Sequence, residues 1–596
     1  MSNTSSVTLS PYIFAALCLL VPAHAAPQTS QAASEQQAAV AWVRETAIPL
    51  KTVEAGSGFA DMQPLDNVVG DARIVSLGEA THGTREFFQL KYRVIEYLAT
   101  RKGFTIFSIE ANMPEAYRLN KFVLEGQGDP KQLLKGLYFW TWNTEEVLDM
   151  IVWMREFNKS GKGRIEFTGF DMQTPTVPIQ TVQDFLLARD PAYYHATVEA
   201  LYKEVPDVKE QIAQQPFAVA TATIPGNLIA GKHVTVAGYM RSDSIADGYA
   251  GLWMNVVGGP KGSLGFKNLG DQNITGTTPW KRYEISLDIP ANVTAIAFGA
   301  TESGTGTAWL DAMEVKIDGQ PYQDPAIDFG FESSTPKGFR TGGDGYEVSL
   351  DKGVAQSGAQ SLRLRRLPSI SAPTVTPVLA SSVFGRCRDV LSYMEQNRVR
   401  FLQAGSSQSD VDWAIQNARL VLQFVEMTAG MRTRDESMAD NVDWIAKHNP
   451  DAKIVLWAHN DHLRNTKYGD VRSMGSYLRQ MYGKQLVNFG FAFNEGSFRA
   501  VEIGKSLHDF TVPPAPEGTL DHTLAAAGIP LFAVDLRRLP DGSPAAQWFA
   551  ESHKTRSIGA AFSDSLEPFL WRPGPPKSDF DVLLFVAKTT AARGNP

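Results

Sequence analysis

RIVSLGEATHGTREFFQLKYRVIE, residues Arg73–Glu96, changes texture twice. The apolar run Arg73–Leu77 reads as a buried strand. Gly78-Glu79-Ala80-Thr81-His82-Gly83 follows, with a glycine on each side that lets the backbone turn sharply and another group come close. Beyond it Phe87, Leu90, Val94, Ile95 and Leu98 fall at helical spacing, which predicts a helix over Thr84–Arg101. Strand, loop and helix in this order build a mostly parallel sheet with helices on its faces. The same alternation recurs at Phe104–Ile109 and Arg164–Thr168. It returns past Ser381, with Val442–Ile445 inside a long helical region and strands expected at Lys453–Trp457, Gln485–Phe493, Leu531–Leu536 and Asp581–Val586.

Between these two α/β stretches the helical periodicity disappears. His233–Arg241, Tyr249–Val257, Lys281–Leu287 and Ala295–Ala300 alternate in polarity and are separated by Gly, Pro, Asp and Asn. They predict an antiparallel β-sandwich, jelly-roll-like, inserted over residues 218–367. The fold class expected is therefore α/β, with a mostly parallel central sheet flanked by helices over residues 38–217 and 368–596, interrupted by that β-domain. At the start, the apolar run Ile13–Val21 ahead of Ala23-His24-Ala25 reads as a cleaved export signal, residues 1–25. The run is too short for a stable membrane anchor. The polar Ala/Ser/Gln-rich residues 26–37 read as a linker. A periplasmic or secreted protein is expected, with no integral membrane segment once the signal is cleaved.

At 596 residues the chain is too long for one ordinary core. Its 43% apolar and 20% charged content is globular, and a formal charge of -8 gives no global basic field for nucleic acid. Two cysteines, Cys18 and Cys387, exclude a disulfide scaffold and a cysteine-based zinc or iron–sulfur centre. Cys387, between Arg386 and Arg388 in a helical stretch, reads as a structural thiol.

In a parallel sheet the carboxyl ends of the strands open onto the ligand crevice. Glu79 and His82 emerge there from the first strand, and Glu110 from the strand Phe104–Ile109. Asp171 follows the strand Arg164–Thr168, and His459 and His462 follow Lys453–Trp457 within Ala458-His459-Asn460-Asp461-His462. Carboxylates and histidines at four strand ends point to one shared active site. A histidine beside a carboxylate is a natural general base, because the carboxylate fixes the tautomer and stabilises the imidazolium. Two mechanisms fit. In one, His82 takes a proton from water and hydroxide attacks an ester carbonyl, while His459 or His462 steadies the oxyanion or protonates the leaving alkoxide. In the other, the histidines and carboxylates hold a divalent metal that activates water. The metal-free base is the favoured reading, so no cofactor and no metal are expected. No Gly-x-Ser-x-Gly elbow stands in the α/β portions, and no glycine-rich stretch leads from strand to helix as a phosphate loop would.

Four further residues are candidates for substrate contact. Lys91 lies more than two turns along the helix leaving the His82 loop, where it either points back to the crevice or lies on a solvated face. Trp140, in the aromatic run Tyr138–Trp142, is either core or one wall of an apolar pocket. Arg434, with Asp435, Met438 and Asn441 at helical spacing, forms a buried Arg–Asp pair or meets substrate; Asp171 is the fourth.

Arg73–Glu96, Ser108-Ile109-Glu110, Gly169–Gln173, Arg434–Asn441, Trp457–His462 and Met474–Gly496, in this order, resemble the erythromycin esterase family. The resemblance implies hydrolysis of an ester or lactone, a macrolide among the options, without a metal. It implies that His82 of a GExxHG motif activates water, that Glu79 and Glu110 match the family's glutamates, and that His459 and His462 match its paired histidines. Lys91 stands where the family usually has Arg, and Asp461 where it usually has Gly. The family's macrolide esterases are compact and lack the β-insert. The insert itself resembles a carbohydrate-binding module at Trp280–Tyr283, Ile296–Gly299 and Gly304–Asp311. Carbohydrate is therefore the second expected partner, although Trp253, Trp280 and Trp309 also read as core. A sugar-binding envelope protein with an inactive α/β domain and a metallohydrolase are the competing functions.

Overall fold

Ile74–Leu77 is buried at all its positions because strands flank it on both sides, Lys453–Trp457 and Leu486–Glu502, both parallel to it. The computed structural model describes residues 30–207, 217–258, 264–269, 272–291, 293–343, 345–367, 379–429, 431–468, 471–502, 507–562 and 570–595. Among these, residues 30–185, 412–424 and 432–595 form one unit, and residues 186–411 with 425–431 another.

The first unit is built on a ten-stranded sheet whose main path runs Ile48–Pro49, Leu531–Asp535, Val582–Thr589, Leu486–Glu502, Ile74–Leu77, Lys453–Trp457, Phe104–Asn112, Glu166–Asp171. From Val582–Thr589 onward the path is parallel, and on it Leu531–Asp535 alone runs the other way; Ile48–Pro49, antiparallel to Leu531–Asp535, returns to the common direction. The expected strands are all present, several a few residues longer than their apolar runs. The predicted helix is Arg85–Arg101, entered through Thr84 in extended conformation. Its buried side is Phe87, Phe88, Leu90, Lys91, Val94, Ile95 and Leu98. Val442 and Ile445 are buried in the helix Arg434–His448, whose first turn is capped by Thr433 accepting from the Glu436 amide at 3.1 Å.

One boundary differs. Ser30–Thr46 is a helix, so residues 30–37, expected in a linker, belong to it. Alanine and glutamine are good helix formers, and the buried Ala39, Trp42 and Val43 at helical spacing anchor the segment. The expected signal segment lies outside the described residues. Among the described residues no helix is long and apolar enough to cross a membrane.

In the second unit the strands Phe217–Pro225 to Ser361–Arg366 form an antiparallel sheet of ten. Its pivot is the 25-residue strand His233–Val257, which runs through both predicted segments. Irregular register along this strand lets its first half pair with Thr305–Ile317 and its second half with Ala295–Ser303. The inserted domain is thus antiparallel as expected, with all strands in one hydrogen-bonded ladder. Trp309 is buried and donates its indole N–H to Asp351 at 2.9 Å, while Trp253 and Trp280 are half-buried. Helical segments flank the insert on both sides and grip each other. The rings of Tyr193 and Tyr393 stack at 3.5 Å, Asp190 accepts from Tyr393 at 2.5 Å and from Arg400, and Glu204 pairs with Arg386. Cys387 in the same bundle is buried, and burial pushes its thiol up to about 12, as suits an inert thiol.

Candidate active site

Four adjacent parallel strands bring the candidate residues together, and their register does the alignment. Leu77 pairs with Trp457, Trp457 with Ile109, and Ile109 with Gly169. Glu79 and His459 each lie two residues past their partners, Glu110 one past and Asp171 two past, so all reach the same rim. The two loops are also tied directly: the Asn460 amide donates to the Glu79 carbonyl at 2.9 Å. Glycine is required at both ends of the first loop. A Cβ on Gly78 would lie 2.1 Å from Asn460 Oδ1, and one on Gly83 2.0 Å from the Arg499 carbonyl oxygen.

Glu79 is fully buried and serves three donors. Oε1 bonds His82 Nδ1 at 2.7 Å; Oε2 accepts from Lys91 Nζ at 2.7 Å and Trp457 Nε1 at 2.9 Å. Burial alone would raise its pKa, but Lys91, then His82, outweigh it and hold the carboxyl below its ordinary value. His82 is thereby fixed at Nδ1, leaving Nε2 as the nitrogen open to a proton. Its ring meets Trp142 edge-on at 6.1 Å, and its centroid lies 5.0 Å from that of His459.

His459 is buried. Its Nδ1 accepts from the Asp461 amide at 3.3 Å, and its Nε2 is buried without a hydrogen-bond partner. Burial pushes the ring down to about 4, so it is neutral with its proton on Nε2, facing no partner of its own. His462 differs: both nitrogens are engaged, Nδ1 with Asp435 at 2.9 Å and Nε2 with Arg434 Nη1 at 3.0 Å and Glu110 at 3.4 Å. The guanidinium favours a neutral ring and the two carboxylates a charged one. Arg434 is itself neutralised by Asp171 and Glu110, so the carboxylates prevail over burial and push His462 up to about 10. Glu110 accepts from Arg434 at 2.7 Å and from the His459 amide at 2.8 Å; against burial, His462 and Arg434 hold it well below its ordinary value.

Three of the expected substrate contacts are placed as follows. Lys91 is not on a solvated face: it is fully buried, paired with Glu79, with its ammonium 4.3 Å from the Trp457 ring centroid. Asp171 is also fully buried, and it holds Arg434 at 2.6 Å. In the aromatic run, the ring against His82 is Trp142, whose indole N–H donates to the Glu110 carbonyl at 3.1 Å; Trp140 is half-buried at the start of the same turn. Arg434 keeps about a quarter of its side chain exposed, 24%, while bridging Glu110 and Asp171. The structure adds Asp435, Trp142, Trp457 and Asp461 to the sequence-derived set. Asp435 had a signal in its place beside Arg434 at the head of a helix, Asp461 in its place between the two histidines, and Trp142 in the aromatic run. Among the described residues no three His, Cys, Asp or Glu side chains are grouped so as to hold a metal ion.

Comparison with known proteins bears on the lineage. Erythromycin esterase type II of Escherichia coli is 32% identical over 168 residues, which is 27% of this chain and 38% of that protein. The alignment thus spans less than half of the relative. A crystal structure of a Bacillus cereus protein superposes with a TM-score of 0.60 at 18% identity, covering 94% of this chain and 99% of the other. A succinoglycan biosynthesis protein gives 0.58 at 19% identity with the same coverage. These two share the fold. The family profile described as erythromycin esterase matches residues 99–227 and 372–589, more than half of the chain and on both sides of the insert. The chain belongs to the erythromycin esterase family.

Proposed function

We propose that the protein is an exported hydrolase of carboxylic esters or lactones that activates water with a histidine and no metal. The observation that carries this is the Glu79–His82 pair at 2.7 Å, which leaves Nε2 of His82 open, with the ring of His459, its own Nε2 unpartnered, 5.0 Å away between centroids. His82 Nε2 takes a proton from water as the hydroxide adds to the carbonyl carbon. The oxygen that becomes negative accepts from His459 Nε2–H, a neutral donor in a buried place where such a bond is strong. When the tetrahedral species collapses, the departing alkoxide recovers the proton from His82. Glu79 stays ionised throughout and steadies the imidazolium. Glu110 and Asp171, through Arg434 and the His459 amide, hold the second loop in place.

A divalent cation finds little welcome here. The oxygens of Glu79 and Glu110 are engaged, and Lys91 and Arg434 place positive charge beside them. Family membership supports an ester or lactone as substrate, and a macrolide or an acylated or glycosylated compound fits that class. The run Ile13–Val21 before Ala23-His24-Ala25 supports export to the periplasm or medium, and the insert would recruit a carbohydrate-bearing substrate. Mass spectrometry of a macrolide and ester panel tests the reading. One water's mass should be gained with wild type, chelator present or not, and none with His82→Ala. Hydrolysis that survives in His82→Ala, or that chelator abolishes and metal restores, refutes it.

A further inference from the structure

Two loops carry the open imidazoles, and a third segment touches both. The Ile558 amide donates to the Ala80 carbonyl at 2.7 Å, and Thr81 pairs with Ile558 in a parallel bridge, so this segment lies along the Glu79–His82 loop. One residue earlier, Ser557 donates its hydroxyl to Asp461 Oδ2 at 2.7 Å, which ties the same segment to the His459 loop. Ser557, Ile558, Ala80 and Thr81 are all buried. The Asp461 carboxylate is held on its other side by Arg464 Nε at 3.4 Å, with Arg572 Nε 4.0 Å away, and Arg464 is in turn paired with the buried Asp579 at 2.5 Å. The segment is anchored behind as well: the Ser557 amide donates to the Leu570 carbonyl at 2.8 Å and the Arg556 amide to Asp521 at 3.1 Å. Asp461 also faces the ring it follows: its amide and carboxylate lie 3.3 and 3.6 Å from His459 Nδ1.

We propose that Asp461 is a positioning residue: clasped by Ser557, it joins the Ser557–Ile558 segment to the His459 loop and so fixes the spacing of the His82 and His459 imidazoles. A hydrogen bond between buried groups with fixed partners on both sides holds one geometry, and the two rings that must meet one carbonyl tolerate little drift. The serine–aspartate bond carries the role, and the charge on Asp461 faces the two arginines behind it and the neutral His459 ring beside it.

The kinetic part of the test rests on the ester-hydrolase reading; the exchange part does not. Ser557→Ala and Asp461→Ala should each lower kcat on the order of tenfold with KM little changed, as loss of alignment does. The double variant should be no worse than the poorer single, because both remove one device. Asp461→Asn keeps an oxygen for the Ser557 hydroxyl and should restore most of kcat; with Ser557→Ala it carries the comparison if Asp461→Ala does not fold. Independently, hydrogen exchange of the Ile558 amide should speed up on the order of tenfold in Ser557→Ala and stay at the wild-type rate in Asp461→Asn. Unchanged kcat in Ser557→Ala, multiplying effects in the double variant, or an Ile558 amide as protected in Ser557→Ala as in wild type each overturns the proposal. If the wild type turns over no ester, the reading of function fails while the exchange result still decides the clasp.

Discussion

Glu79→Gln alters one atom at the centre of the site, and its consequences follow from the three bonds that the carboxylate accepts. Glutamine can serve Lys91 and Trp457 only by turning its carbonyl oxygen to them, which presents its NH2 to His82 Nδ1. Nδ1 then accepts, the ring proton moves to Nε2, and the nitrogen that must take a proton already holds one. The matching amide substitution in the serine-protease triad lowers kcat about 10⁴-fold, and a loss of roughly 10³- to 10⁴-fold is expected here. Stability falls too. Lys91 is left fully buried without its carboxylate, and breaking such a pair costs about 3–5 kcal/mol. Lys91 can escape by giving up its proton, since burial already lowers it to about 8 and losing Glu79 lowers it further. The folded variant then holds one proton fewer than its unfolded chain at neutral pH. Its stability rises with pH below 8, where the wild-type lysine is charged in both states, and the gap to wild type narrows by ~1 kcal/mol per unit. Removing both charges in Glu79→Gln/Lys91→Met should recover most of the loss. Ester turnover and urea unfolding measure the two effects. A kcat within tenfold of wild type refutes the oriented-base argument, and a double variant no more stable than the single refutes the buried-charge argument.

His462 is held up to about 10 by Asp435 and Glu110, above the 6.5 of an unperturbed histidine. Its stabilisation is complete below that lower value and is lost as pH rises through the upper one, at up to about 1.4 kcal/mol per unit. His462→Gln should flatten that stretch of the stability–pH curve, read by urea unfolding across the window. Arg434→Met leaves Asp171 and Glu110 buried without their shared cation, so the urea midpoint should drop by the equivalent of about 3–5 kcal/mol, and a second substitution, Asp171→Asn, should return part of it. Trp142→Phe keeps a ring against His82 but leaves the Glu110 carbonyl without the indole donor, a loss of about 1–2 kcal/mol in unfolding with a much smaller effect on kcat than Glu79→Gln.

Much of this geometry was legible in the residues. Apolar runs of strand length located the parallel core, and the chemistry-bearing side chains stood directly after four of them, where a parallel sheet opens. What stayed hidden was the use each side chain is put to. Lys91 lies four residues from both Phe87 and Ile95, on the buried stripe, but an ammonium there reads as solvated until its carboxylate partner, twelve residues back, is known to face it. Asp171 and Arg434 are 263 positions apart, and no local pattern announces their pairing. The two histidines of one motif looked equivalent; only the partners around them separate a pinned ring from an open one. In the aromatic run, a short 3-10 turn over Trp140–Trp142 decides which indole turns inward, and such turns leave little periodic trace.

The grip between Tyr193 and Tyr393, fastened by Asp190, Arg400, Glu204 and Arg386, has an architectural consequence. A polypeptide that departs and returns through one buckle can lengthen, shorten or trade its excursion without renegotiating the strand order elsewhere. Variation in residues 218–367 should then be tolerated freely so long as the buckle closes, and a foreign passenger spliced between the same two helical shoulders would inherit a ready-made mooring.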